Sequence, residues 1–193
     1  MGIVVINHVS LDGVMQAPGR VDEDPRDGFA AGGWADVGST GSDEVVGAAM
    51  GQVMGPAFSW LFGRRTYDDL LGHWNAAGGP FKDGLNHVEK LVVSRDPGAS
   101  LPWPNSRLVT GDVLEELRAA VRDGPGNLVV MGSGVLVRSL LPVGLVDTLL
   151  LIQHPVVLGA GRKLFGDGVS ARFALQDVTR SSSGLAVARY DRT

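Results

Sequence analysis

Two strand-to-helix junctions punctuated by glycine constrain this chain more than any other feature. The first reads Trp60-Leu61-Phe62-Gly63-Arg64-Arg65-Thr66-Tyr67. The second reads Leu128-Val129-Val130-Met131-Gly132-Ser133-Gly134-Val135-Leu136. In each, an apolar run of strand character stops at glycine and a helical pattern follows. A junction of this kind aims free backbone N–H groups and the positive end of a helix dipole at one point, which suits phosphate. Two of them in one small domain can hold both ends of a nucleotide cofactor.

The rest of the chain alternates in the same manner. Ile3 to Val9 is β-branched and almost continuous, the pattern of a buried strand. Residues 10–41 are rich in Gly, Asp and Pro, and a connection that long is either a functional loop or holds a short helix. Ser42-Asp43-Glu44 has the form of a helix start, followed by Val45, Val46, Ala49, Met50, Val53 and Met54 at helical spacing. A second strand spans Ala57 to Phe62. Tyr67, Leu70, Leu71 and Trp74 mark one face of a helix, with Thr66 and Asp69 spaced as a capping box. Short strands are expected at Lys90 to Ser94, Arg107 to Thr110 and Asn127 to Met131. Helices are expected from Asp112 to Gly124 and from the second junction to Pro142. Pro155 interrupts the long apolar run Asp147 to Leu158, predicting two strand pieces or a bulge. Arg172 to Arg180 and Leu185 to Tyr190 flank a Ser-Gly turn and read as a hairpin. The pattern predicts an α/β fold over 1–193 as one domain, with a mainly parallel sheet and an antiparallel edge.

Composition removes several classes of function. With 193 residues, 44% hydrophobic and 20% charged, the chain can bury a core without staples. A formal charge of −4 and the absence of basic runs argue against nucleic acid or a membrane surface as partner. Zero cysteines exclude disulfides, thiolate metal sites and a cysteine nucleophile. The start Met1-Gly2-Ile3-Val4-Val5-Ile6 has no basic leader and meets Asn7 and His8 early, so a cytoplasmic location is expected. His8, His73, His87 and His154 show no metal-ligand spacing, so no metal is expected. Gly132-Ser133-Gly134 matches neither the dinucleotide fingerprint nor a serine-nucleophile elbow.

What remains is anion chemistry. Gly63, Arg64, Arg65 and Thr66 combine a helix start with two guanidinium groups, which bind phosphate bidentately; the plainer reading is a glycine turn with solvated arginines. Ser94 and Arg95 follow a strand directly and can complete a pocket for a ribose 2′-phosphate, or can be a simple turn. Ser10-Leu11-Asp12-Gly13 opens the long loop, either as a turn or as the hinge of a lid over substrate. Trp34, inside that loop, is the tryptophan placed to touch substrate.

These segments together resemble the dihydrofolate reductase-like superfamily, in the branch of the riboflavin-biosynthesis reductase domain. The resemblance rests on Ser10-Leu11-Asp12-Gly13, Gly63 to Tyr67, Lys90 to Arg95 and Gly132-Ser133-Gly134. Gly144 to Asp147, followed by Pro155 to Gly161, adds a feature of the riboflavin-type branch. The resemblance implies a three-layer fold, NADPH as reductant, a small-molecule substrate of pterin or pyrimidinone type, and a homodimer. By position, Gly63, Arg64, Arg65, Thr66, Ser94 and Arg95 would serve the adenosine phosphates. Gly132, Ser133, Gly134, Val135 and Leu136 would hold the pyrophosphate, and Val9, Ser10 and Met15 would border the nicotinamide. Substrate would lie near Met50 and Trp34, with Asp12 as the candidate proton donor. A carboxylate facing the pterin is missing from the apolar stripe of the 42–54 helix, which argues against dihydrofolate itself. The alternatives are a non-catalytic NADP(H)-binding sensor on the same fold and a flavodoxin-like domain binding flavin mononucleotide.

Overall fold

A computed structural model describes residues 1–36 and 43–193. Eight strands form one sheet: β1 (Ile3–Val9), β2 (Phe58–Gly63), β3 (Lys90–Val93), β4 (Ser106–Val109), β5 (Asn127–Met131), β6 (Val146–Gln153), β7 (Phe173–Arg180) and β8 (Ala186–Arg192). Their spatial order is β4-β3-β2-β5-β1-β6-β8-β7. The first six run parallel, while β8 is antiparallel to β6 and β7 to β8. The expected parallel sheet with an antiparallel hairpin at its edge is therefore present.

Among the described residues, five α-helices cover the sheet: α1 (Glu44–Met54), α2 (Arg64–Ala77), α3 (Pro80–His87), α4 (Val113–Asp123) and α5 (Gly134–Leu140). Alternation along the strands divides the core between the two faces. Val4, Ile6, Trp60, Phe62 and Val129 pack against Val46, Tyr67, Leu71 and Leu85 of α1, α2 and α3. Ile3, Val5, Leu61, Leu128 and Val130 pack against Leu117 of α4 and Leu136, Val137 and Leu140 of α5. The result is three layers.

Several local expectations change. Asp43 caps α1 by accepting from the N–H groups of Val45 and Val46; Ser42 lies outside the described residues. No side chain caps α2, whose N-cap is Gly63, so Thr66 and Asp69 do not form a capping box. Thr66 Oγ1 accepts instead from Ser133 N–H at 3.1 Å, and Asp69 accepts from Arg20 at 2.6 Å. β6 stops at Gln153, before Pro155, so the proline ends the strand and does not divide it. The described part of the long loop carries a 3-10 turn, Arg26–Gly28. α3, absent from the periodicity reading, is held at its C-terminus by Lys90. That side chain is fully buried, and its Nζ donates to the carbonyls of Leu85 and Val88 at 2.5 and 2.6 Å. Lysine has three donors, and a helix C-terminus offers carbonyls in need of them.

The topology places the site. From β1 the chain crosses β5 to reach β2, whereas from β5 it crosses β1 to reach β6. Connections that leave two neighbouring parallel strands in opposite directions open a crevice at the strands' carboxyl ends.

Candidate functional site

A cavity of about 360 Å³ occupies that crevice. Its floor is Ile6, Asn7 and His8 from β1 with Met131 at the end of β5 and Gly132 just after it. Asn7 is buried, and its Nδ2 donates to the Gly132 carbonyl at 3.4 Å, tying the two strand ends together.

The two glycine junctions meet here and are stitched to each other. Gly63 N–H donates to Ser133 Oγ at 3.0 Å, while Ser133 N–H donates to Thr66 Oγ1. Gly132 and Ser133 adopt φ of 68° and 52°, the left-handed region that turns the chain sharply into α5. At Gly134 an added Cβ would stand 2.8 Å from Met15 Sδ and 3.2 Å from an Arg138 guanidinium nitrogen, so these two long side chains close over the bare backbone there.

Of the residues expected to bind a cofactor, Met15, Arg65, Thr66, Gly132, Ser133, Gly134 and Val135 line this one cavity. Arg65 is exposed and, among the described residues, makes no hydrogen bond or ion pair, although its charge helps hold Asp24 below the ordinary aspartate value. The other expected residues stand elsewhere. Arg64 is bound by Asp68 one turn along α2, at 2.7 Å. Ser94 caps a turn by accepting from Asp96 N–H, and Arg95 is exposed beyond β3. Leu136, Val9 and Met50 pack into the core layers. Trp34 donates from Nε1 to the Gln16 carbonyl at 2.7 Å and meets His154 edge-on.

Ser10 and Asp12 close the loop that leaves β1. Ser10 Oγ accepts from Val14 N–H and donates to Asp12, whose carboxylate also accepts from the N–H groups of Leu158 and Gly159. Those bonds hold the Asp12 carboxyl down at about 2. An acid so stabilised as its anion is poorly matched to proton donation at neutral pH.

The long loop supplies the opposite wall, and polar contacts fix it in place. Gln16 is buried, donating to the carbonyls of Asp24 and Arg26 and accepting from Arg162 N–H. Arg20 bridges the cavity to Asp69 on α2. Three carboxyls line the wall, and two of them are ion-paired, Asp24 to Arg26 and Asp69 to Arg20. Among the described residues Glu23 accepts only backbone N–H groups, from Gly19 at 2.7 Å and Arg20 at 3.1 Å, and burial pushes its carboxyl above the usual value. Arg138 and Arg162 also face the cavity. Burial and the neighbouring Arg162 charge depress the Arg138 guanidinium, an electrostatic cost that an anion would relieve. Leu70, His73, Trp74 and Phe81 complete the wall from α2 and α3. Among the described residues no cluster of His, Asp or Glu is arranged to hold a metal ion.

The sequence matches the RibD C-terminal domain family over residues 3–187. This chain belongs to that family. Solved structures place it further. A putative riboflavin biosynthesis protein from Shewanella sp. PV-4 superposes with a TM-score of 0.70 at 20% identity, over 100% of this chain and 99% of that one. A pyrimidine reductase-like protein from Corynebacterium diphtheriae gives 0.63 at 16% identity, over 100% and 92%. Dihydrofolate reductase from Enterococcus faecalis, complexed with NADP(H) and RAB-propyl, gives 0.55 at 14% identity, over 100% and 96%. No curated protein matches the sequence. The RibD C-terminal domain thus has a dihydrofolate reductase-like fold here.

Residues that the sequence pattern missed have a common character. Arg20, Glu23, Arg138 and Arg162 carry no motif, and only the loop's path and the 134–138 helical turn bring them to the cavity. His8 and His154 are 146 positions apart, yet His8 Nδ1 and His154 Nε2 lie 2.8 Å from one another.

Proposed function

We propose that this chain is an NADPH-dependent reductase acting on a C=N or C=O bond of a small heterocycle or carbonyl compound, pterin- or pyrimidinone-like. One observation carries the reading: Arg65, which among the described residues has no hydrogen-bonding or ion-pair partner, lines the same cavity as the glycine-flanked corner Gly132-Ser133-Gly134. The donor set fits the cofactor. A guanidinium group that stays charged and binds bidentately suits a 2′-phosphate, and glycine lets backbone approach a diphosphate closely. Arg65 and Thr66 would hold the 2′-phosphate, Gly132 to Val135 the diphosphate, and Met15 would border the nicotinamide. Bound there, NADPH would supply the hydride.

The remaining tasks fall to the chain's own side chains. Arg138 and Arg162 offset negative charge beside the corner. The Arg20–Asp69 bridge holds the loop over the cavity and limits water. Reduction also requires a proton on nitrogen or oxygen, and Glu23 is the wall carboxyl without a guanidinium bond. Its raised pKa keeps a proton closer to neutral pH than the ion-paired Asp24, which is held below its ordinary value, can.

Fluorescence titration with NADPH and NADH tests this reading. Tight NADPH-selective binding is expected. Arg65→Ala should weaken NADPH at least tenfold and leave NADH within twofold, since a charged hydrogen-bonded contact is worth about 1.5–3 kcal/mol. Equal losses for both cofactors would overturn the assignment of Arg65. NADPH binding with no turnover across pterins, pyrimidinones and small carbonyls would move the chain to a non-catalytic NADP(H)-binding role.

A further inference from the structure

The His8–His154 pair is a cluster of titratable side chains at the cavity that the reduction proposed above does not use. His8 is the penultimate residue of the floor strand β1 and lines the cavity, and its Nδ1 is taken by His154 Nε2 at 2.8 Å. His154 follows β6 directly and is buried; its backbone N–H donates to the Val9 carbonyl at 2.8 Å, and the Trp34 ring stands edge-on to it. The second imidazole is thereby locked behind the first. Around the pair, the charged and titratable groups of the cavity are Arg65, Asp69 and His73 on α2, Arg138 on α5, and Arg20, Glu23, Asp24, Arg26 and Arg162 between the helices and strands. None of them has a hydrogen bond or ion pair to either ring.

We infer that His8, oriented by His154, is a substrate-binding residue that donates a hydrogen bond from Nε2 to a carbonyl oxygen or ring nitrogen of an oxo-heterocycle. Three steps lead there. With Nδ1 engaged, Nε2 is the one ring nitrogen left for a ligand. When His154 donates its Nε2–H to His8 Nδ1, a neutral His8 must carry its own proton on Nε2. Hydride addition to C=N or C=O builds negative charge on the heteroatom, and a fixed neutral donor stabilises that charge without reorganising. Burial keeps both rings neutral, His8 down at about 4, so the donor persists across physiological pH. His154 acts through His8 as a positioning residue. The inference rests on the reductase reading and narrows its substrate to rings bearing an acceptor beside the reducible bond.

The test uses the full-length protein saturated with NADP⁺ and pterin as the probe. In ¹⁵N-histidine spectra at pH 7, His8 is expected as the Nε2–H tautomer, with its Nε2 resonance shifting as pterin is added. A His8 protonated on Nδ1 overturns the inference without recourse to any variant. His8→Phe should weaken pterin at least tenfold and leave NADP⁺ affinity within twofold. His154→Leu should weaken pterin several-fold and mix the His8 tautomers. His154→Gln, whose amide can still donate to Nδ1, should restore both. Unchanged pterin affinity in His8→Phe refutes the contact, and wild-type protein that binds NADP⁺ but not pterin refutes the substrate class. Failure to bind NADP⁺ at all would instead remove the reductase reading on which the inference stands.

Discussion

Acidification should destabilise this fold well above the range where its aspartates titrate, and His8 is the reason. An imidazole has an ordinary value of 6.5, and burial beside His154 pushes His8 down to about 4. The unfolded chain therefore binds a proton at His8 as pH drops below 6.5, while the folded chain resists until about 4. Between those values the unfolded state holds more protons, so stability falls with falling pH. From pH 7 to pH 5, one such group removes about 2 kcal/mol. His154 is shifted in the same direction and adds to the loss. The lowered carboxyls of Asp12, Asp24, Asp43 and Asp191 act further down, below the usual aspartate value of 3.8. Glu23, shifted up, opposes the trend only near and above 4.5. Urea unfolding at pH 7, 6 and 5 measures the slope directly. His8→Gln removes the titrating ring but leaves an amide beside His154, and should reduce the pH 7-to-5 loss by about 2 kcal/mol. An identical loss in the variant would refute the argument, because the slope would then originate in other groups.

Two further substitutions separate scaffold from site. Lys90→Met strips the buried carbonyls of Leu85 and Val88 of their donor and should cost about 2 kcal/mol in urea unfolding, with α3 fraying first in hydrogen exchange; greater stability would show that the cost of burying the ammonium outweighs its hydrogen bonds. Asp12→Asn weakens the charge-assisted bonds to Ser10, Leu158 and Gly159 and should lower the melting temperature with NADPH affinity unchanged. A loss of turnover with no loss of stability would instead return Asp12 to the role of proton donor.

The sequence by itself determined the strand-to-helix rhythm and the closing hairpin, because these depend on periodicity over a few residues. Ile3 to Val9 and Asn127 to Met131 end where their apolar runs end, and Asp112 caps α4 as its place before the helical stripe predicts. The two glycine junctions were legible for the same reason. α3 was not, since Pro80 to His87 is short and its anchor, Lys90, lies on the next strand. Tertiary structure alone decided which side of each junction meets the cavity. Arg64 and Arg65 are adjacent and alike in sequence, yet a helix turns by about 100° per residue, so one reaches Asp68 and the other the cavity. Thr66 has the spacing of a cap, but its hydroxyl is claimed by Ser133, brought close by the pairing of β2 with β5. Histidines with no pattern among them become a bonded pair because β1 and β6 are neighbours in the sheet, with His8 opposite Ile152 and His154 just beyond. Contacts of this kind depend on strand order and register. No local pattern encodes either one, because both are settled only when distant segments bury their apolar faces together.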